Sequence, residues 1–235
     1  MSATFDFPDS VVLVTGIGGA LGSAVAEGFL DAGAVVCGAD LVTPDDEDFL
    51  LDSPERVDFY HGDFTDESVV EETVEGIVAS HGQLDFLANI AGTWRGGDSI
   101  DETAGSTFDF LFDVNLKTMF LASKHAIPHI NEQSGAIVSV SAESSLEGGE
   151  GDGIYRATKA GVRLLTETIA AENDELRANA VMPSVIDTPM NREMMPDADH
   201  SEWVDPTDIA DTFLALCSDA TSVTSGAAVP VYGDA

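Results

Sequence analysis

The chain has 235 residues, 44% of them hydrophobic, and it carries 43 Asp and Glu against 9 Lys and Arg, a formal net charge of -34. This length and hydrophobic content favour one folded domain with a substantial core over a disordered acidic chain. A surface this negative repels nucleic acid and anionic membranes, so the sequence predicts neither as a partner.

The acidic residues are spread along the whole chain and form no block at either end. This composition is typical of a halophilic protein from a high-salt cytoplasm, where counterions screen the repulsion between carboxylates. Cys37 and Cys217 lie in apolar runs, without the spacing of a disulfide framework or a metal site. No signal-peptide pattern opens the chain, and no apolar run approaches the ~20 residues of a membrane span. We therefore predict a cytoplasmic protein without a metal ion.

Apolar strand-like runs alternate with longer helical patterns from one end of the chain to the other. The predicted strands are residues 11–14, 35–39, 57–60, 84–90, 136–140, 178–181 and 228–231. The predicted helices are residues 20–32, 66–80, 106–130, 155–172 and 206–217, with an acidic loop in place of a helix at 43–56. Near-continuous apolar strands between helices indicate a parallel sheet covered on both faces. The sequence thus predicts an α/β fold, a Rossmann-type doubly wound sheet of about seven parallel strands, in a single domain spanning residues 1–235.

The first predicted strand is joined to the first helix by a glycine-rich turn, Thr15-Gly16-Ile17-Gly18-Gly19-Ala20-Leu21-Gly22. Glycines in such a turn let the backbone approach a pyrophosphate, which the helix N-terminus attracts. A glycine-rich turn alone is a weak signal. Its position between a strand and a helix, with Asp40 closing the second strand, predicts a dinucleotide site.

Asp40 also predicts which dinucleotide binds. A carboxylate at this place bonds the adenosine ribose hydroxyls and repels a 2′-phosphate. Neither the glycine turn nor Leu41-Val42 offers a cation to hold that phosphate, and the nearest basic residue downstream is Arg56. The alternative is that Asp40 is an ordinary loop acid of a very acidic protein. We predict NAD(H) as the cofactor.

Tyr155 and Lys159 lie four residues apart at the start of an apolar-periodic run, so they share one face of a helix. A phenol titrates near ~10, and an ammonium held close to it favours the phenolate and lowers its pKa. Such a pair can carry a proton to or from an alcohol or carbonyl oxygen. The same spacing also fits a half-buried tyrosine beside a solvated lysine on an amphipathic helix.

Taken together, these motifs resemble those of the short-chain dehydrogenase/reductase family, in its compact single-domain branch, and the resemblance runs nearly end to end. Thr15, Gly16 and Gly22 match the family's Thr-Gly-x-x-x-Gly-x-Gly turn, although Ala20 replaces its middle glycine. Further matches follow in chain order at Asp63-Phe64, Asn89-Ile90-Ala91-Gly92, Asn115, Tyr155 with Lys159, and Pro183-Ser184-Val185-Ile186-Asp187-Thr188.

The resemblance implies a role for each matching residue. Tyr155 is expected to act as the general acid/base, and Asn115 to hold a water in the proton relay. Lys159 is expected to grip the nicotinamide ribose, and Thr188 to hold the carboxamide. The residues expected to contact the cofactor are Gly16, Ile17, Gly18, Leu21, Gly22, Asp40, Leu41, Asp63, Phe64, Asn89, Ala91, Gly92, Tyr155, Lys159, Pro183, Ile186 and Thr188.

The family's catalytic serine usually lies thirteen residues before the tyrosine, a position that Ala142 holds in this chain. Dihydropteridine reductase, a member of the same family, is similar in carrying alanine there. A one-residue shift of the loop brings Ser141 to the site, and Ser144 lies one step beyond. We predict Ser141 as a catalytic residue; the alternative is that these serines only cap and turn a loop.

Three methionines follow Thr188 within the stretch from Pro189 to Pro196. Flexible, polarizable methionines suit a lid that repacks over an apolar substrate, which we place at about residues 189–204. Trp94 and Trp203 are candidates for the pocket wall. The alternative is that these apolar side chains belong to a surface loop or a subunit contact.

The sequence therefore predicts an NAD(H)-dependent oxidoreductase that interconverts a carbonyl, quinonoid or imine-like group and an alcohol by hydride transfer. A small molecule is the expected substrate, and the resemblance implies a homodimer or homotetramer. A catalytically silent NAD-binding regulator or scaffold is the alternative from another class, favoured by Ala142. A sugar-nucleotide epimerase or dehydratase is a further alternative, which the short chain opposes.

Overall fold

The computed structural model describes residues 4–233, and seven of its segments form one sheet. The strands are β1 (Val11–Thr15), β2 (Val35–Asp40), β3 (Asp58–His61), β4 (Phe86–Asn89), β5 (Ala136–Val140), β6 (Arg177–Pro183) and β7 (Ala228–Val231). All neighbours are parallel, and the order is β3-β2-β1-β4-β5-β6-β7. The chain thus winds outward from β1 to one edge and returns through β4 to the other. A crevice opens between β1 and β4, where the winding reverses.

The helices lie on both faces of this sheet. They are α1 (Ala20–Asp31), α2 (Glu67–His81), α3 (Gly105–Phe112), α4 (Thr118–Gln133), α5 (Gly153–Glu172), α6 (Pro189–Met194) and α7 (Pro206–Cys217). Helices α1 and α7 pack on one face, and α2, α4 and α5 pack on the other. The doubly wound parallel sheet predicted from the sequence is confirmed.

Apolar runs build the strands because both faces of the sheet are buried. All five residues of β1 and of β5 are buried. Phe29 of α1 and Phe213 of α7 are fully buried on one face, and Ile77 of α2 is fully buried on the other. Each such side chain contributes roughly 1.5–3 kcal/mol to folding. This burial fixes the strand ends that form the crevice.

The long helix predicted at residues 106–130 is present as a continuous helical stretch, although the structure adds a π-helical turn inside it. A π-helical segment, Asp113–Lys117, separates α3 from α4. Segments of this kind widen the turn by one residue and occur frequently at functional sites. The side chain at its centre, Asn115, is buried and is bonded to two other parts of the chain, as described below. Local periodicity contains no trace of those bonds, so it predicts a long helix without the π-helical turn.

No helix in the described part of the chain is both long and apolar enough to cross a membrane.

We expect the protein to unfold more readily when salt is withdrawn. Its net charge of -34 makes the folded state repel itself, and counterions screen that repulsion. Raising KCl from about 0.1 M to about 2 M should raise the thermal unfolding midpoint by roughly 10 °C, equivalent to about 3 kcal/mol for a domain of this size. Sucrose, which does not screen charge, is the control. A midpoint that does not change with KCl would contradict this expectation.

Candidate active site

The carboxyl ends of the strands open onto one cleft of about 1510 Å³. Its walls include the ends of β1, β2, β5 and β6 and the segments that follow β3 and β4. Because every strand is parallel, all of these ends lie at the same edge of the sheet. The cleft thus brings together residues that are far apart in the sequence.

The glycine turn after β1 packs tightly against the turn after β4. Gly16 has a φ of +69°, and a Cβ there would lie 2.9 Å from the Cα of Ala91. A Cβ at Gly22 would overlap the carbonyl of Gly16. Thr15 joins the two turns, because its Oγ1 accepts hydrogen bonds from the N–H of Ile90 (3.0 Å) and of Ala91 (3.2 Å). Side chains at either glycine would therefore distort the floor of the cleft.

The N-terminus of α1 faces the cleft. Within residues 4–233, no side chain caps this helix end, where Gly19 is the N-cap residue. Gly18, Gly19, Ala20 and Leu21 all line the cleft. The uncapped N–H groups and the positive end of the helix dipole suit a phosphate group.

Asp40 ends β2 beside this turn. Its Oδ2 accepts a hydrogen bond from the N–H of Gly18 (2.8 Å), and its Oδ1 accepts one from the N–H of Val42 (3.1 Å). Leu41, next to it, is 61% exposed and lines the cleft. The carboxylate is thus held in one orientation at the end of the cleft where an adenosine ribose would bind.

The acidic loop at residues 43–56 also reaches the site, which the sequence did not indicate. The ring of Phe49 packs against Gly18, where a Cβ would lie 2.7 Å from Phe49 Cδ2. The N–H of Leu50 donates to the Gly18 carbonyl (2.8 Å), and Asp48 and Leu50 line the cleft. No local pattern predicts these contacts, because they join the loop to a turn some thirty residues earlier in the chain.

Asp63 and Phe64 follow β3 and line the same end of the cleft. The Asp63 carboxylate accepts hydrogen bonds from the N–H (2.9 Å) and the hydroxyl (2.7 Å) of Thr65. Phe64 is 6% exposed, so most of its ring lies in the core. Both residues lie in the cleft lining, and their contact with a cofactor stays a prediction.

Tyr155 and Lys159 line the cleft from α5, one turn apart. The Lys159 Nζ lies 5.9 Å from the centre of the Tyr155 ring and donates to the carbonyl of Val140 (3.0 Å). Burial lowers the pKa of Lys159 to about 8. Burial and, secondarily, the Asp152 carboxylate raise the pKa of Tyr155 to about 12. The prediction that Lys159 lowers the pKa of Tyr155 is therefore wrong for this structure, because burial outweighs the distant ammonium.

Asn115 lies behind this pair and is 1% exposed. Its Oδ1 accepts from the N–H of Thr93 (2.7 Å), and its Nδ2 donates to the Thr93 carbonyl (3.0 Å) and to Thr158 Oγ1 (3.1 Å). The side chain thus ties the π-helical segment to α5 and to the loop after β4. Gly92 leaves room for this arrangement, because a Cβ there would lie 2.9 Å from Asn115 Oδ1 and 3.2 Å from Lys159 Nζ.

Ser141, Ala142 and Ser144 all line the cleft after β5. The Ser141 hydroxyl is 2.8 Å from the carbonyl of Lys159 and donates to it. That bond turns the hydroxyl of Ser141 toward the backbone of α5. Ala142 offers no hydroxyl, and the hydroxyl of Ser141 is engaged by the Lys159 carbonyl, so the catalytic role of Ser141 stays a prediction.

The segment after β6 closes the other end of the cleft. Pro183, Ile186, Thr188, Met190, Met194 and Met195 all line it. Thr188 caps α6, because its Oγ1 accepts from the N–H of Asn191 (3.1 Å). Trp94 lines the cleft, whereas Trp203 packs on His200 with 4.3 Å between ring centres and does not reach it. The candidate wall thus includes one of the two tryptophans.

Two predicted cofactor contacts lie outside the cleft lining. Ile17 is fully buried in the core between the turn and α1. The Asn89 side chain points into the interior, where its Nδ2 donates to Ser123 Oγ (3.0 Å) and Ser139 Oγ (3.2 Å). Both residues support the floor of the cleft from behind, Ile17 by packing in the core and Asn89 by these hydrogen bonds.

One group of potential metal ligands comes together away from the cleft, where sequence spacing gave no sign of it. Ligand atoms of Cys37, Asp58 and His81 lie within 4.8 Å of one another. His81 Nε2 is 3.0 Å from the Asp58 carboxylate, so these two side chains already contact each other. Burial raises the pKa of the Cys37 thiol to about 12, so it stays protonated and is a poor ligand.

The cleft as a whole fits a dinucleotide beside a small substrate. Backbone N–H groups face one part of it, a fixed carboxylate stands at the end of β2, and a phenol and a buried ammonium stand near the methionine-rich wall. A proton donor next to a dinucleotide site suits redox chemistry at a carbonyl or alcohol carbon.

Comparison with known proteins agrees with this geometry. A family profile described as enoyl-(acyl carrier protein) reductase matches residues 16–233. The 3-oxoacyl-(acyl-carrier-protein) reductase FabG of Thermotoga maritima is 30% identical over 237 residues, covering 95% of this chain and 96% of that protein. The meso-2,3-butanediol dehydrogenase of Serratia marcescens is 30% identical over 241 residues, covering 97% and 95%.

A solved structure is similar throughout. The ligand-free aldohexose dehydrogenase of Thermoplasma acidophilum superposes with a TM-score of 0.85 at 27% sequence identity, covering 98% of this chain and 94% of that one. These relatives are oxidoreductases, and members of their family use nicotinamide cofactors and act on small molecules. The chain belongs to the short-chain dehydrogenase/reductase family.

Proposed function

We propose that this protein is an NAD(H)-dependent oxidoreductase that interconverts a carbonyl, quinonoid or imine-like group and an alcohol by hydride transfer. The observation that carries the proposal is one cleft that holds both the glycine turn with Asp40 and the pair Tyr155 and Lys159. When bound, the nicotinamide supplies or accepts the hydride. The chain's own residues bind and orient the cofactor and the substrate, and they move the proton.

The choice of NAD(H) rests on the charges that line the cleft. Among the residues that the structure describes, Lys159 is the one cation in the lining, and its Nζ is bonded to the carbonyl of Val140. Within residues 4–233, no lysine or arginine of the cleft lining therefore stands beside Asp40 to neutralise a 2′-phosphate. The fixed carboxylate accepts hydrogen bonds from two ribose hydroxyls, which favours a ribose without a phosphate. A 2′-phosphate is itself an anion and an acceptor, so the carboxylate repels it.

Tyr155 is proposed to transfer the proton. With its pKa raised to about 12, the phenol carries its proton at neutral pH and is ready to donate it to a carbonyl oxygen. Lys159 keeps a positive charge below about pH 8 and would stabilise the phenolate left behind. The role of Asn115 in ordering a water stays a prediction. Because its side-chain amide is bonded to Thr93 and Thr158, we propose that backbone carbonyls of the π-helical segment accept the hydrogen bonds of this water.

A fluorescence titration tests the cofactor. In concentrated KCl we expect NADH to bind at least about tenfold more tightly than NADPH, equivalent to about 1.4 kcal/mol. In D40A this preference should fall, whereas D45A, which changes an exposed acid in the neighbouring loop, should keep it. Equal or tighter binding of NADPH would contradict the role of Asp40.

The catalytically silent cofactor-binding protein is the second candidate, and Ala142 in place of a hydroxyl is the observation that favours it. Such a protein would bind NADH in the titration and reduce no carbonyl compound at any pH. Reduction of diketones or quinones with NADH would remove this candidate.

The segment at residues 189–204 is proposed to act as a substrate lid. Met190, Met194 and Met195 are each at least 38% exposed while lining the cleft, so they have room to repack over an apolar substrate.

A homodimer or homotetramer is proposed as well. Phe108, Phe120 and Leu164 on α3, α4 and α5 are 44%, 49% and 53% exposed, and a subunit contact would bury them. Light scattering in concentrated KCl measures the assembly directly.

A further inference from the structure

The hydroxyl groups that line the cleft differ in whether they already make a hydrogen bond within the protein. Eight serines and threonines line it: Thr15, Thr65, Thr93, Thr118, Ser141, Ser144, Ser184 and Thr188. Seven of them make a hydrogen bond through the side-chain oxygen. The exception is Ser144, whose Oγ bonds to nothing within residues 4–233. Its hydroxyl is free to both donate and accept.

Arg156 ties the main chain at Ser144 to α5, the helix that carries Tyr155. The Arg156 Nη1 donates to the carbonyls of Ser144 (3.4 Å) and Glu147 (3.3 Å), and its Nε donates to Asp152 Oδ1 (2.5 Å). Arg156 directly follows Tyr155 in α5, so this guanidinium clamps the short turn Glu143–Leu146 to the helix that carries the phenol.

Gly149 makes the clamp possible. A Cβ at this position would overlap the guanidinium of Arg156. The glycine-rich approach to the tyrosine thus has a local physical reason, since a larger residue would push the clamp away from the turn that carries Ser144.

A carbonyl oxygen that gains negative charge presents two lone-pair directions, and donors already aimed at them lower the barrier. Tyr155 supplies one donor. Ser141 is engaged with the Lys159 carbonyl and Ala142 has no hydroxyl, so neither supplies the second. We propose that Ser144 is the second hydrogen-bond donor to the substrate oxygen, held there by the Arg156 clamp. This inference rests on the proposed carbonyl reduction. The hydride adds to the carbonyl carbon, the Tyr155 proton goes to the oxygen, and Ser144 keeps its proton throughout.

The test compares S144A and S144T with S145A in reduction of 9,10-phenanthrenequinone and 2,3-butanedione by NADH. Ser145 is the matched control, because it lies in the same turn with its Oγ buried against Met182 Sδ at 3.9 Å. We expect S144A to lower kcat by about 10²–10³ while the Kd for NADH stays unchanged. S144T, which keeps a hydroxyl, should retain most of the activity, and S145A should resemble the wild type.

Two further variants separate positioning from folding. Adding A142S to S144A returns a hydroxyl to the neighbouring wall and should recover part of the lost kcat. R156A should lower kcat in the wild type but add little to S144A. S144A removes the Ser144 hydroxyl, and R156A releases the turn that positions this hydroxyl, so both changes act on the same hydrogen bond to the substrate oxygen.

Three outcomes overturn the assignment. The first is an S144A variant within about threefold of the wild type. The second is a loss of activity matched by a loss of NADH affinity, which would make Ser144 structural. The third is a wild type that reduces neither compound, which contradicts the proposed function itself and is recognised before any variant is made.

Discussion

Replacing Tyr155 with phenylalanine is expected to lower kcat by at least about 10³ while leaving the Kd for NADH unchanged. The change removes one oxygen atom, the only protein atom proposed to carry the reacting proton. The phenol's pKa of about 12 keeps it protonated, so reduction depends on a group that Y155F deletes outright. The aromatic ring remains to fill its place in the wall of the cleft.

The measurement pairs steady-state reduction of 2,3-butanedione with NADH titration on the same preparation. Y60F is the matched control, because Tyr60 lies on β3 and packs against the core on the α2 face, away from the cleft. We expect Y60F to keep full activity. Turnover by Y155F at the wild-type rate would show that another group supplies the proton, and the mechanism proposed for this cleft would then fail.

The sequence was sufficient to predict the sheet because the signals that build it are local. Each strand is a short apolar run, and each helix repeats its apolar residues with a helical period. The turn chemistry agrees with these patterns, as at Asp66, which caps α2 by accepting from Ser68, and at Gly82, which ends that helix with a φ of +81°. Parallel order and the crevice between β1 and β4 then follow from the alternation of strands and helices.

The details of the site depend on contacts between distant segments, so periodicity could not reveal them. Asn115 lies in the π-helical turn of the long helix, and its side chain bonds to Thr93 and Thr158. Ser141, one residue from the expected position, is turned away by a bond to the carbonyl of Lys159. The clamp from Arg156 to the Ser144 carbonyl spans twelve residues and depends on how α5 docks on the sheet.

Electrostatics was the other part that the sequence could not supply. Four-residue spacing places Tyr155 and Lys159 on one helix face, and from this a lowered phenol pKa was predicted. In the structure the ammonium is turned toward the carbonyl of Val140, 5.9 Å from the ring centre, and burial dominates the pKa of both groups. The depth of burial is a property of the whole fold, and no pair of residues encodes it.

Replacing Lys159 with methionine is expected to stabilise the fold at neutral pH while abolishing activity. The folded protein buries this ammonium, which lowers its pKa from an unfolded value near ~10.4 to about 8. Keeping the charge at pH 7 therefore costs folding free energy. Methionine has a similar length without the charge, although it leaves the Val140 carbonyl without its donor. We expect K159M to unfold with a free energy about 2 kcal/mol higher than the wild type at pH 7.

The pH dependence identifies the cause. Between about pH 8 and about pH 10.4, the unfolded chain holds a proton on Lys159 that the folded protein has released. Wild-type stability relative to K159M should therefore rise with pH across this window, by about 1.4 kcal/mol per unit, and the advantage of the variant should disappear. Below the window the difference should be constant. Urea titrations of both proteins at fixed KCl measure this difference in the free energy of unfolding. Groups that titrate in both proteins contribute equally to the two free energies, so their contributions cancel.

K124M is the matched control, because it removes one lysine charge from a side chain that is 50% exposed. Its stability difference from the wild type should not follow the rise expected for K159M. An unstable K159M would show that the ammonium holds the fold together through its bond to Val140. A stabilised but inactive K159M would mean instead that the protein keeps a buried charge at a cost in stability, which is expected of a group retained for binding the ribose and stabilising the phenolate.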